Sequence, residues 1–433
     1  MARPWRRVAK FAATAAVAAT AVVGVAACGG SSSSSSSGGS SSGKVTLKFS
    51  QWWAPEMPKG DLQAIVNGFE KKYPNVQIKL ISAPFATVQQ QTVSDAATGT
   101  MADVVGLDGA WVNPLVKQGA LLSLTQAMKE AGYNDSDLAS QVKLNGQTYM
   151  IPVVNFVYPL FTNTAILKEA GIASPPTTWS QFAADAIKIS KLSSTVKGWV
   201  VPLGTENPNG VENDIMSWVW ASGGSMLKNG EPNLTNNPTV TGAVNMVKQL
   251  IADNAVLPGA DSLQEIDKEE NFVNGRVGMM IDSMAHITTI AQGNPKLKFK
   301  VSAEPVQDGY TGKHGILTAS WGIGVSAKTK YPKQAWEFVQ YLMSKSVNAQ
   351  LATEADSFPG NKTSVPDFSK SDPHFEDAFK IYQQSTPMEE FTGLPNADQL
   401  MTEFLNQLQE SVKGSESTAQ MLANVQSSWK QQF

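Results

Sequence analysis

Residues 45–80 read VTLKFSQWWAPEMPKGDLQAIVNGFEKKYPNVQIKL, and the order of periods inside this stretch decides the fold. Val45, Leu47 and Phe49 alternate with polar residues, the period of two expected of a strand with one buried face. Leu62, Ile65, Val66 and Phe69 then fall at i, i+3, i+4 and i+7, the stripe of an amphipathic helix, and Pro74 closes it. Val76, Ile78 and Leu80 return to the period of two. Further on, 103–107 is apolar in its middle, as in a strand buried on both faces. Trp111, Leu115 and Val116 sit at helical spacing before Gly119, a residue suited to ending a helix in the left-handed conformation. This β-α-β-α-β-α order predicts an α/β protein built on an open, mainly parallel sheet flanked by helices.

The remainder repeats that style. Strands are expected at 149–159, 198–203 and Val277–Ile281, and helices at 179–191, from Pro332 onwards, and twice in the tail around Leu400–Val412 and Leu422–Trp429. A chain of 433 residues is long enough for two or three compact units. With 42% hydrophobic and 16% charged residues it reads as globular rather than disordered.

The chain opens differently. Residues 1–10 carry Arg3, Arg6, Arg7 and Lys10 and no acid, and 11–27 is uncharged and alanine-rich, the pattern of a secretory signal peptide. Without those four cations the formal charge of −3 becomes −7, which disfavours a nucleic-acid partner. Val25-Ala26-Ala27-Cys28 followed by Gly29 resembles the lipobox of bacterial lipoproteins, which implies cleavage before Cys28 and its lipidation. Residues 29–43 are glycine and serine alone, a flexible tether. An exported protein anchored through lipid to the outer face of the cytoplasmic membrane is therefore expected.

Chemistry is sought where open α/β sheets bind ligands, beyond the carboxyl ends of strands. That rule selects Trp52, Trp53, Glu56, Asp108, Tyr158, Asp282 and, in a glycine-punctuated run expected to turn, Trp321 and Gly322; Trp218 joins them from the segment before Gly223-Gly224. Flat aromatic rings suit the C–H faces of a sugar, and carboxylates suit its hydroxyls. For Trp52, Trp53 and Trp218 a core role competes with the ligand role, and for Asp108 and Asp282 helix or turn capping competes. Trp179, Trp199, Trp336 and Trp429 read as core. Arg276 is the only arginine beyond residue 27, which argues against a strongly anionic ligand. One cysteine and three histidines, read as surface residues, leave no usual zinc, haem or disulfide pattern. No metal, cofactor or catalytic group is expected, since nucleophile-elbow, Walker and HExxH signatures are all missing.

Several segments together resemble the extracellular solute-binding proteins that serve ATP-driven carbohydrate importers, similar in plan to maltose-binding protein. They are Gly68-Phe69-Glu70-Lys71-Lys72-Tyr73-Pro74-Asn75-Val76, Ala102-Asp103-Val104-Val105, Phe161-Thr162-Asn163-Thr164, Pro176-Thr177-Thr178-Trp179, Phe272-Val273-Asn274-Gly275-Arg276-Val277-Gly278-Met279-Met280, and Trp321-Gly322-Ile323 with Ala335-Trp336-Glu337-Phe338. The resemblance implies a monomer of two lobes, 44–153 plus 305–345 and 154–304 plus 346–433, hinged near Pro152-Val153 and Glu304-Pro305. A sugar or oligosaccharide would be held in the interlobe cleft and delivered to the transmembrane subunits of an ABC permease. Pro359-Gly360-Asn361-Lys362 lacks the arginine many relatives carry there, so arginine contacts do not transfer. A polyol or glycerol phosphodiester cargo, and a lipid-anchored glycan hydrolase, are the alternatives.

Overall fold

A computed structural model describes residues 44–369 and 371–433. The signal peptide, Cys28 and the tether lie outside the described residues.

In chain order the strands are β1 (Val45–Gln51), β2 (Val76–Ser82), β3 (Val104–Leu107), β4 (Val142–Leu144), β5 (Gln147–Val157), β6 (Leu160–Asn163), β7 (Lys197–Trp199), β8 (Leu227–Lys228), β9 (Glu231–Pro232), β10 (Val277–Ile281), β11 (Phe299–Ser302), β12 (Gly315–Val325), β13 (Phe358–Pro359) and β14 (Thr386–Met388). The first sheet runs β2-β1-β3-β12-β5-β13, with β4 on β5 and β14 on β12; the second runs β11-β6-β10-β7. The opening stretch forms as its periods predict. β1 pairs in parallel with β2 and β3, and the helix Asp61–Lys72 buries Leu62, Ile65, Val66 and Phe69.

The sheets are mixed rather than mainly parallel. β12 pairs Gly322 with Leu107 and Val325 with Val104, so it enters at the carboxyl end of β3 and runs antiparallel to it. In the second sheet only β10 and β7 are parallel, while β6 is antiparallel to both its neighbours. The run Ser320–Gly324, expected to turn, lies inside β12, its glycines allowing close approach: a Cβ on Gly322 would collide with the Met150 side chain.

Each sheet has its own aromatic core. Around the first, Phe49 sits 5.2 Å from Trp53 and 5.4 Å from Phe338, which in turn is 5.0 Å from Phe69. Around the second, Trp218 makes edge contacts with Phe182 at 4.7 Å, Trp199 at 5.9 Å and Trp179 at 6.3 Å. Helix Trp179–Ser190 lies so close to β7 that a Cβ on Gly198 would strike the Ala186 backbone. Backbone cannot swing aside like a side-chain tip, so Gly198→Ala is expected to cost about 1–3 kcal/mol. A lower urea midpoint with an unchanged slope would show it.

Two connections differ from expectation. Pro152 and Val153 are inside β5, which pairs with β12 on one side and β13 on the other, and Asn348 donates to Val153 O at 2.8 Å. Glu304 and Pro305 pack on second-sheet helices: Ser217 donates to Glu304 at 3.0 Å and the Trp179 indole donates to Pro305 O at 3.2 Å. The passages between sheets are Tyr158-Pro159, joining β5 to β6, and the start of β12 beside β14. Pro152 stands where the β5–β12 ladder is irregular, the register shifting opposite Trp321 and Gly322, and such an irregularity is where a strand covered on both edges tolerates proline.

Candidate functional site

At the end of β1, Gln51 is buried; its amide oxygen accepts from Ala54 N at 2.8 Å and its nitrogen donates to Ser82 at 2.7 Å. This fixes the turn into the short helix Trp53–Glu56. The turn sends the two indoles inward. Trp52 packs edge-on against Phe85 and Trp111 at 5.1 and 5.3 Å, and Trp53 stacks on Trp321 with ring centres 5.6 Å apart and planes 7° off parallel. Trp53 and Trp218 are wholly buried and Trp321 is 7% exposed, so none of these stands out as a bare sugar platform; in particular Trp218 belongs to the second core. Gly322 is likewise a packing position. Glu56 opens to solvent between protein walls, whose desolvation lifts its pKa to about 7 against the pull of the His286 charge.

At the end of β3, Asp108 caps helix Gly109–Lys117 by accepting from Ala110 N at 2.8 Å. Its pKa nevertheless rises to about 7, because burial, aided by the nearby charge of Asp398, outweighs that bond. Capping and site membership are thus compatible in this residue.

The second lobe supplies the opposing edge. Tyr158 follows β5, and burial together with the Glu265 charge pushes its hydroxyl well above the ordinary range. A π-helical turn, Glu212–Met216, precedes the short helix Ser217–Ala221 that ends at Gly223-Gly224. Such turns interrupt the regular ladder and recur at functional sites. Asp282 ends β10 and is 2% exposed, with its carboxylate committed to His286 Nδ1 at 2.9 Å and lying 3.8 Å from Lys268. Burial opposes its charge, but those two cations win and its pKa falls. His286, far from an idle surface residue, is held cationic: burial disfavours its charge, yet Asp282 raises its pKa to about 9. The other two histidines are also engaged, His374 stacking on Phe299 at 4.1 Å and His314 lying between the carbonyls of Glu304 and Gly315.

Segment 389–398 touches both lobes. Glu390 accepts from Trp220 Nε1 at 2.5 Å, from Met226 N at 2.8 Å and from Ser225, while Gly393 N donates to Gly109 O at 3.0 Å and Asn113 donates to Gly393 O at 2.9 Å. Asp398 accepts from Gln89. The result is convergence: burial and the charges of Asp108, Glu389, Asp398 and Glu265 all raise the pKa of Glu212. Glu389 rises to about 8, through burial and Asp108 against a bond from Thr392. Carboxyl groups from both lobes therefore lie close enough to feel one another's charge.

Of the residues chosen from sequence, Glu56, Asp108, Tyr158 and Asp282 meet here, whereas Trp52, Trp53, Trp321 and Gly322 form the wall behind and Trp218 lies elsewhere. Glu212, Glu265, Lys268, His286, Glu389 and Asp398 were missed. The spacing Asp282 to His286 and Glu265 to Lys268, one helical turn each, was a readable signal. The π-helical turn that carries Glu212 has no sequence signature. Among the described residues no group of three or more His, Cys, Asp and Glu could hold a metal ion.

The sequence profile described as bacterial extracellular solute-binding protein matches residues 54–349. A putative binding protein of Brucella abortus (strain 2308) is 26% identical over 325 residues, 74% of this chain and 77% of the relative. Among solved structures, an ABC substrate-binding protein from Listeria monocytogenes in complex with cycloalternan superposes with TM-score 0.75 at 18% identity, covering 90% of this chain and 98% of that one. UgpB from Mycobacterium tuberculosis in complex with glycerophosphocholine gives TM-score 0.76, also at 18% identity and with 90% and 98% covered. The folds are the same two-lobed, helix-flanked α/β architecture.

Proposed function

The chain belongs to the bacterial extracellular solute-binding protein family, and from that premise we propose that it is the substrate-binding component of an ABC importer for an uncharged carbohydrate. The observation that carries the reading is the convergence of Glu56 and Asp108 with Tyr158, Glu212 and His286 between the lobes. Sugar hydroxyls donate to carboxylates and accept from a tyrosine hydroxyl or an imidazolium N–H, and bonds to charged groups contribute about 1.5–3 kcal/mol each. A cluster rich in carboxyl groups offers few cations to pair with a sugar acid or phosphodiester, which agrees with the scarcity of arginine. Trp53 and Trp321 would stiffen the wall behind the ligand.

Sugar bridging both edges would favour the closed form by its differential affinity for it, and the closed form would be what the permease engages. No bond is made or broken. The contacts around Val153 and Glu304 favour lobe boundaries nearer Tyr158 and Gly315 than the positions read from sequence. For the N-terminal segment the same reading holds that the signal peptide is removed, Cys28 is lipidated, and a monomer is anchored at the outer face of the cytoplasmic membrane.

A thermal-shift screen against neutral sugars, polyols, sugar acids and glycerol phosphodiesters tests this. A ligand at 100 times its dissociation constant adds about 2.7 kcal/mol of apparent stability. A shift with neutral oligosaccharides or monosaccharides and no new product on chromatography is expected. A shift with phosphodiesters alone would overturn the cargo class, and turnover would overturn the binding role.

A further inference from the structure

Helix Ile266–Val273 buries Phe272, but one turn earlier on the same face it buries a lysine. Ile266 is 81% exposed while Lys268, two residues on, is 0% exposed. A helix selected for stability alone would bury the isoleucine and leave the ammonium in water, since a buried charge costs several kcal/mol before pairing. The register that buries Phe272 therefore also carries the Lys268 charge into the interior, and that charge has to be paired.

Its Nζ lies 2.6 Å from Glu265, 2.8 Å from Ile281 O and 3.0 Å from Asp214, with Asp282 at 3.8 Å. An ammonium has three N–H donors, and the three nearest acceptors take all of them, leaving none for a ligand. What Lys268 does instead is join elements. Asp214 belongs to the π-helical turn, Glu265 to the approach to its own helix, and Ile281 and Asp282 to the end of β10, from which Asp282 grips His286. Of these, the π-helical turn and Glu265 carry uncommitted polar groups, Asp214 Oδ1 among them. Glu265 Oε1 and Asn213 Oδ1 are buried without a partner, although Asn213 also donates to the other Glu265 oxygen at 2.8 Å.

We propose that Lys268 is a positioning residue of the interlobe site: by tying the turn 212–216, Glu265 and the end of β10 to one buried ammonium, it sets where Glu212 and His286 stand against the first lobe. This rests on the functional reading above and adds to it the residue that shapes the second lobe's half of the cleft. Burial works against the Lys268 charge, but Asp214, Glu265 and Asp282 hold it well into the protonated range, so the tie persists at every physiological pH. The groups facing it are those three carboxylates, with Glu304 and Tyr158 close enough to feel its charge.

The test uses the full chain carrying Lys268→Met together with Asp214→Asn, which removes one charge of each sign and leaves the net charge of the cluster unchanged. Two quantities are read well below the melting transition: amide hydrogen exchange, which needs no ligand, and the dissociation constant for the best sugar of the panel with its pH profile. Exchange at least tenfold faster across 212–217, with helix Asp61–Lys72 unchanged, and a dissociation constant at least tenfold higher are expected, with a pH profile displaced because Asp282 and His286 have lost their neighbour. Local exchange unchanged, or affinity within twofold and the same pH profile, would overturn the proposal. A lower melting temperature on its own, with those readouts unmoved, would mean a merely structural lysine. Should the double variant not fold, Asp214→Asn alone, which leaves Lys268 paired with Glu265 and Asp282, is expected to loosen 212–217 about threefold, and no loosening would again overturn it. If the native chain binds nothing in the panel, the functional reading fails, and the exchange comparison still decides whether Lys268 positions these elements.

Discussion

Trp218→Ala is expected to remove about 3–5 kcal/mol of stability, the range for emptying an aromatic from a packed core. The indole is wholly buried and makes edge contacts with Trp179, Phe182 and Trp199, each such pair contributing about 0.5–1.5 kcal/mol beyond the area it covers. The neighbours are poorly placed to collapse into the space, because Trp179 and Phe182 are fixed in one helix and Trp199 in β7. Its Nε1 is buried without an acceptor, which makes the cost smaller for Trp218→Phe, since that variant discards an unsatisfied donor while refilling most of the volume. Denaturant melts of the two variants check this. A ligand platform would behave in the opposite way, losing sugar affinity at an unchanged melting point, and that result would return Trp218 to the cleft.

Trp218 shows where sequence reading stops. The fold was legible because its signal is periodic: the alternation Val45, Leu47, Phe49 and the stripe Leu62, Ile65, Val66, Phe69 depend only on which face of one element meets the core. Whether an indole at a strand end faces the cleft or the core depends on partners far away in sequence. Trp53 turns inward because Gln51 caps the next helix and Trp321, some 270 residues later, offers a parallel ring. Trp321 itself looked like a platform because glycines flank it, but those glycines admit Met150 and Leu107 on a crowded strand. The carboxylates Glu56, Asp108 and Asp282 were chosen by the rule that α/β sites lie beyond strand ends, which is a property of topology and needs no knowledge of the packing. Glu212 and Asp398 lie on a π-helical turn and on a segment that bridges the lobes, and no strand end announces them, while Glu389 follows β14, whose three residues are too few to show a period. Parallel pairing was over-extended for a related reason: β-α-β order fixes β1 to β3, but the direction of β12 is set by the chain's return from the other lobe.

The carboxyl groups that meet between the lobes make stability depend on pH with a definite sign. Asp108 rises from 3.8 to about 7, chiefly through burial, and Glu389 from 4.5 to about 8, again chiefly through burial. A group whose folded pKa is raised binds its proton more tightly in the folded chain. Its contribution is full below the unfolded pKa and is lost as pH rises through the folded one. His286 adds the same sign in a later window, between its ordinary 6.5 and about 9, since the charge of Asp282 overcomes the effect of burial. Asp135, Asp308 and Asp282, whose folded pKa values are lowered, act oppositely and lose stability only as pH falls below the ordinary aspartate range. The melting temperature of the ligand-free protein is therefore expected to peak near about pH 5 and to fall steadily to about pH 9. At roughly 1.4 kcal/mol per pKa unit, Asp108 alone accounts for on the order of 3 kcal/mol of that fall, over the two units between pH 5 and its folded pKa of about 7. Asp108→Asn, which imitates the protonated acid, is expected to flatten the descent between pH 5 and 7 while leaving the His286 window in place. A melting temperature constant from pH 5 to 8 in the native protein would mean that these carboxyl groups are solvated and apart, and that the two lobes do not bring them together without a ligand.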